Sequence, residues 1–154
     1  MKEINVHQTF PDGCFGLRSI AIIIQDDKLL VAKNAKYDCF YTVGGGVHAH
    51  EDSASAAIRE VFEETGLRMK TDRLLFVNER FFHHDTQEHH EVAFFYLMDY
   101  DCCPIPDGAT TDCPGETLHW LPIDQLNTYN LVPAFLKESL RKLPDNIVHI
   151  VEES

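Results

Sequence analysis

The stretch Arg59-Glu60-Val61-Phe62-Glu63-Glu64-Thr65-Gly66 places three carboxylates and a guanidinium within six consecutive positions. On a helix of about 3.6 residues per turn, Glu60, Glu63 and Glu64 project from neighbouring points on one side. Ala57, Ile58, Val61 and Phe62 then occupy the side that packs. Glu60 and Glu64 stand four residues apart, where like charges repel, so the pattern weakens a free helix and calls for positive charge. Three carboxylates converging at one place are hard oxygen ligands, suited to Mg²⁺ or Mn²⁺ and poor for zinc, which prefers nitrogen and sulfur. Arg59 lies four residues before Glu63 and can orient a carboxylate by charge-assisted hydrogen bonding.

Gly44-Gly45-Gly46 sit between a strand pattern and this helix. Without side chains they let backbone approach a ligand and present N–H or C=O groups to phosphate or metal. Glycine repetition alone is a weak signal; an acidic helix at fixed distance makes it informative. His48, His50 and Glu51 fill the intervening loop, and His48 is the histidine best placed to touch a substrate there.

The spacing carries a resemblance. Gly45, five residues, Glu51, seven residues, Arg59-Glu60-Val61, Phe62, Glu63-Glu64, Thr65 and Gly66-Leu67 resembles the Nudix box, G-x5-E-x7-R-E-U-x-E-E-x-G-U with U apolar. All nine defined positions in these 23 residues are filled. The order of strands around it, and Glu116 to Leu126 (ETLHWLPIDQL), also resemble a Nudix domain. The resemblance implies hydrolysis of a nucleoside diphosphate linked to another moiety, with Mg²⁺ or Mn²⁺ as cofactor and water attacking phosphorus. It implies that Glu60 and Glu64 are the principal metal ligands, Glu63 is ligand or base, and a backbone carbonyl at Gly44 or Gly45 assists. Glu51 and Arg59 would fix the geometry between loop and helix. A further acid outside the box is expected to activate the water, Glu116 ahead of Asp112. The window Phe81-Phe82-His83-His84-Asp85 has neither the Pro nor the Tyr that marks some branches, so the leaving group stays open. The competing reading is a nucleotide-sensing module without turnover, but such modules usually have eroded metal carboxylates, and here all are present.

The elements that must position these residues are legible in outline. Leu17–Gln25, Leu29–Lys33, Cys39–Val43, Arg73–Phe82, Glu91–Tyr100 and Thr117–Leu121 have the β-branched, aromatic or alternating character of strands. Asp26-Asp27-Lys28 supplies a tight turn, and HHDTQEHH separates two later strands. Asp52 to Thr65 switches to helical period, with Asp52 or Ser53 as cap and Gly66 suited to the left-handed position past the end. Residues 102–115 read as a loop, Ile123–Leu126 as a helical turn and Pro133–Leu143 as an amphipathic helix. Together they predict one α/β domain over residues 1–154, an α/β/α sandwich around a mixed parallel and antiparallel sheet.

With 154 residues the chain can bury a proper core. Its 25 acidic against 13 basic residues give a formal charge of −12, which repels polynucleotide backbones and anionic membranes. A small anionic substrate is compatible if a metal bridges the two sets of negative charge. The five cysteines, including the vicinal Cys102-Cys103, follow no zinc or redox spacing and read as reduced thiols. The histidines flanking the turn, His83-His84 and His89-His90, read as polar surface. The opening residues lack a charged-then-apolar leader pattern, and no apolar run nears the ~20 residues of a bilayer span. A cytoplasmic enzyme is expected, and the implied fold allows a homodimer.

Overall fold

The apolar run around Ile20–Ile23 lies at the centre of a mixed sheet in the computed structural model, which describes residues 3–101 and 103–154. In chain order the elements are β1 (His7–Phe10), β2 (Gly13–Ile22), β3 (Ile24–Gln25), β4 (Lys28–Asn34) and β5 (Phe40–Gly46). Then come α1 (Ser53–Thr65), β6 (Lys70–His84), β7 (Gln87–Asp99), β8 (Glu116–Pro122), a 3₁₀ turn (Ile123–Thr128), β9 (Leu131–Val132), α2 (Leu136–Ser139) and β10 (Val148–Glu153). Neighbours across the sheet run β10-β6-β7-β2-β5-β4-β3, with β1 on β2, β8 on β4 and β9 on β5. The pairs β2·β7, β6·β10 and β5·β9 are parallel and the rest antiparallel, so the sheet is mixed as expected.

Strand alternation divides the core. Ile20, Ile22, Leu29, Val31, Phe76 and Phe95 face one side, where Leu126, Leu136 and Leu140 cover them. Ala21, Ile23, Leu30, Ala32 and Val43 face the other, against Ala57 and Val61 of α1. Because successive side chains point to opposite faces, the unbroken apolar run of β2 feeds both layers. Asp26 and Asp27 both adopt positive φ, 51° and 58°, the backbone of a two-residue hairpin loop, here between β3 and β4.

The helix ends are chemically specified. Asp52 accepts a hydrogen bond from the Ser55 backbone N–H at 2.9 Å, and Gly66 takes the left-handed conformation at φ 76° while its N–H reaches the Phe62 carbonyl. Ser19 Oγ donates to the Ser53 carbonyl, and the Ser53 hydroxyl meets Tyr96 Oη at 2.7 Å. Strands β2 and β7 thereby hold the start of α1.

Four expectations change. Gly44 to Gly46 belong to β5 itself, paired with Ile20, Ser19 and Arg18, because β2 is long enough to keep the ladder going. The HHDTQEHH segment is mostly strand: β6 and β7 pair out to His84–Gln87, leaving Asp85-Thr86 as the turn. Polar side chains do not interrupt a ladder whose bonds are between backbones. The second helix is regular only over Leu136–Ser139, flanked by tight turns, though Leu136 and Leu140 bury its apolar stripe as its pattern required. Strands β1 and β10 were not anticipated, since each is short and mostly exposed at a sheet margin. Of the vicinal cysteines, Cys102 lies outside the described residues; Cys14, Cys39, Cys103 and Cys113 are free thiols. Among the described residues no helix is long and apolar enough to cross a membrane.

Phe76 is 2% exposed, with Phe135 at 5.3 Å and Phe95 at 6.2 Å between ring centroids. Phe76→Ala is expected to lower unfolding free energy by about 3–5 kcal/mol, read by urea titration. It lies on the face away from α1, so the acidic helix should keep its circular dichroism until global unfolding.

Candidate active site

Arg59 is the hub of the acidic region. Its Nε donates to Glu51 Oε1 at 2.8 Å and one terminal nitrogen donates to Glu51 Oε2 at 3.0 Å, a two-pronged grip on one carboxylate. The same nitrogen donates to the Gly46 carbonyl at 2.9 Å. The other terminal nitrogen donates to Glu60 Oε1 at 2.7 Å and to both Glu63 oxygens at 3.3 Å. Glu51 in turn accepts the His48 backbone N–H at 2.9 Å. One side chain of α1 thus joins helix, loop and the end of β5. Its contacts keep the Glu51 carboxyl below its ordinary range and the guanidinium firmly protonated.

Glu64 is held differently. Its Oε1 accepts the Gly44 N–H at 3.2 Å, whereas Oε2 is buried with no hydrogen-bond partner among the described residues. Burial first, then the negative charge of Glu116, pushes the Glu64 carboxyl up to about 8. Burial also raises Glu60, against the opposing pull of Arg59. Glu60 lies directly over Gly45: a Cβ there would stand 2.3 Å from Glu60 Oε1, so only glycine admits the carboxylate. Glu63 is the outermost of the three, its side chain 39% exposed against 13% for Glu60.

Glu116, at the start of β8, is buried beside this group. Its Oε2 accepts from the Tyr41 hydroxyl and its Oε1 from the Thr111 hydroxyl at 2.8 Å. The charges of Glu116 and of exposed Asp112 both reach Glu64, so the long loop does bring its acids to the helix. Tyr41 and Thr111 were missed by sequence reasoning. Tyr41 had a readable signal, because alternation along β5 puts Tyr41, Val43 and Gly45 on one face; Thr111 had none.

Among the described residues, no three His, Cys, Asp or Glu side chains are drawn into a ready-made metal cage. The carboxylates do not converge as closely as their helical spacing implies, because Arg59 supplies the positive charge and takes Glu60 and Glu63 to itself. The donor set still suits a hard cation. Its side-chain ligands are all carboxylate oxygens, one of them buried and unpartnered, and nitrogen and sulfur are absent from it. The ribbon histidines are engaged elsewhere: His89 lies 3.2 Å from Cys14 Sγ and stacks on Phe82, and His90 stacks on Phe81.

A model of the NUDIX domain matches residues 16–143, most of the chain. The chain belongs to the Nudix family. A mouse relative, diphosphoinositol polyphosphate phosphohydrolase 3-alpha, is 36% identical over 100 residues, covering 65% of this chain and 57% of that protein. The human diphosphoinositol polyphosphate phosphohydrolase NUDT4B is 39% identical over 75 residues, covering 48% and 39%. The match therefore spans between 39% and 57% of the length of these relatives. Among solved Nudix-fold structures, the MutT protein of Bacillus halodurans superposes with a TM-score of 0.67 at 16% identity, covering 90% of this chain and 89% of that one. That likeness establishes the fold. The Nudix helix here is α1, and the Nudix box runs from β5 through its C-terminal glycine.

Below pH 8 the folded chain keeps a proton on Glu64 that the unfolded chain releases near 4.5. The fold therefore binds the extra proton across that window, and stability without divalent cations is expected to fall as pH rises through it. The loss should be on the order of 1–3 kcal/mol, levelling off above the window. Urea unfolding in EDTA at stepped pH reads it, and Glu64→Gln should remove most of the slope.

Proposed function

We propose that this Nudix chain hydrolyses the diphosphate bond of a small molecule in which a diphosphate joins a nucleoside to a second moiety, using Mg²⁺ or Mn²⁺. The observation that carries the reading is the buried, unpartnered oxygen of Glu64, set among Glu60, Glu63 and Glu116 within a complete box. A carboxylate oxygen buried without a partner is costly unless something positive reaches it. A polyanionic substrate cannot approach such a cluster alone, whereas one carrying divalent cations can. The curated relatives are named for a diphosphorylated inositol, which shares the diphosphate and differs in what it is attached to.

In this reading Glu60, Glu64 and Glu63 hold the cation, with a backbone carbonyl at Gly45. When bound, the cation polarises phosphoryl oxygens and makes its water more acidic. The chain's own residues do the rest. Arg59 keeps Glu60 and Glu63 in fixed orientations and ties them to Glu51, so the cluster does not splay. Gly44 and Gly46 give the diphosphate close access along β5, and His48 borders it from the loop. Glu116, oriented by Tyr41 and Thr111, retains a free lone pair on each oxygen and takes the proton as water oxygen attacks phosphorus. The bond from that phosphorus to the bridging oxygen breaks, leaving two phosphorylated products. The chain acts on soluble small molecules in the cytoplasm, with no polynucleotide or membrane partner.

Glu64→Gln and Glu60→Gln should each cut turnover by orders of magnitude while thermal unfolding stays cooperative. Glu116→Gln should cost roughly 10²–10⁴-fold in kcat with a smaller change in KM. Phosphorus NMR of a panel of nucleoside triphosphates, ADP-ribose, sugar nucleotides, dinucleoside polyphosphates and diphosphoinositol phosphates, with Mg²⁺ and with EDTA, reads both. Undiminished turnover in the Glu60 and Glu64 variants would falsify the assignment.

A further inference from the structure

On the sheet face away from α1, register places a row of residues beside the box. Arg18 of β2 pairs with Gly46 on one side and Ala93 of β7 on the other, and Ala93 pairs with Asn78 of β6. In the next row Gly16, Glu91 and Arg80 stand in line. Ala93 carries little side chain, so the larger residues around it enclose a cleft of about 230 Å³. Arg18, Arg80, Asn78 and Glu91 line one part of it, and Val132 and Pro133 wall another. It adjoins the box across β5, because Arg18 stands opposite Gly46, whose carbonyl accepts from Arg59.

The two arginines are unspent. Among the described residues the Arg18 guanidinium makes no hydrogen bond or ion pair at contact distance, and Arg80 only stacks on Phe82 at 4.4 Å. Glu91 faces Arg80 across the ladder without forming an ion pair. In a chain of formal charge −12 with 13 basic residues, two free guanidiniums in one cleft are an uneven placement. Their Cα atoms are about 12 Å apart, two strands over and one same-face step along, within the combined reach of two arginine side chains. A group lying over Ala93 can therefore be gripped from both sides. The fork of N–H donors on arginine matches phosphoryl oxygens.

We propose that Arg18 and Arg80 form a phosphoryl-binding subsite, so that the substrates held best carry a further phosphoryl group beyond the scissile diphosphate. This rests on the pyrophosphohydrolase reading, since α1 takes the diphosphate and the cleft takes what is attached to it. Asn78 forms the floor: it is 1% exposed and fixed by a 3.1 Å hydrogen bond to Glu152 of β10.

The test is a matched pair: coenzyme A against dephospho-coenzyme A, repeated with ADP-ribose 2′-phosphate against ADP-ribose. Wild type is expected to favour the phosphorylated member by about tenfold or more in kcat/KM, mostly through KM. In Arg18→Ala and Arg80→Ala that preference should collapse towards one, and Arg→Lys at either position should restore part of it. A wild type without preference, or a preference that survives in both alanine variants, overturns the subsite. If wild type hydrolyses no member of either pair, the enzymatic reading is judged on the wider substrate panel alone. The subsite is then decided by thermal shift in EDTA with adenosine 3′,5′-bisphosphate against AMP. A larger shift with the bisphosphate that disappears in Arg18→Ala supports it, and equal shifts overturn it.

Discussion

The Arg59 guanidinium is the contact on which the acidic region depends. Glu51, Glu60 and Glu63 would repel one another if brought this close without positive charge, and the Gly46 carbonyl would lack this partner. A planar fork satisfies all four because its donors point in fixed, divergent directions; a lysine ammonium offers fewer donors and no such plane. The arrangement also sets a limit. Arg59 reaches Glu60 and Glu63 but not the free oxygen of Glu64, so positive charge is supplied to one edge of the cluster and withheld from the other. Burial is the main cause of the raised Glu64 carboxyl, and the negative charge of Glu116 adds to it.

Geometry of the sheet explains how so much charge is tolerated. Gly45 leaves β5 without a side chain where the Glu60 carboxylate must lie, and the neighbouring Gly44 offers its N–H to Glu64. A larger residue at 45 would force the Glu60 carboxylate to shift from the place where Arg59 holds it. The core is kept separate: Val61 and Ala57 pack on Ala21, Ile23 and Leu30, while the carboxylates leave α1 on its other side. The same helix serves an apolar layer and a polar site because its two stripes differ in chemistry.

Much of this was legible in sequence where a single local rule decides. The period of α1, its Asp52 cap, its Gly66 terminator and the box spacing each depend on residues a few positions apart. What was not legible depends on register. Gly44 to Gly46 became strand because β2 continues beside them, a fact no window around the glycines contains. Tyr41 and Thr111 meet at Glu116 only because β4 joins β5 and β8. Arg18 on β2 and Asn78 and Arg80 on β6 are some sixty residues apart in the chain and share a cleft through two ladders, β2·β7 and β6·β7. Strand β10 is exposed and short, so it has little burial pattern to read; its place is set by pairing with β6.

The distribution of charge follows a consistent logic across both faces. An acidic chain gains nothing from electrostatic attraction for phosphates in bulk, and its net charge opposes their approach. Attraction has to be local. On the α1 side, in the proposed reading, it would come from cations brought with the substrate, since Arg59 touches Glu60 and Glu63 but not Glu64. On the opposite face it can come from the chain itself, because among the described residues Arg18 and Arg80 leave their donors free of hydrogen bonds and Glu91 is the one carboxylate lining that cleft. Two neighbouring phosphoryl groups would then be recognised by different means. Only the one at the carboxylates would need a divalent ion, and selectivity for the attached group could vary without altering the box.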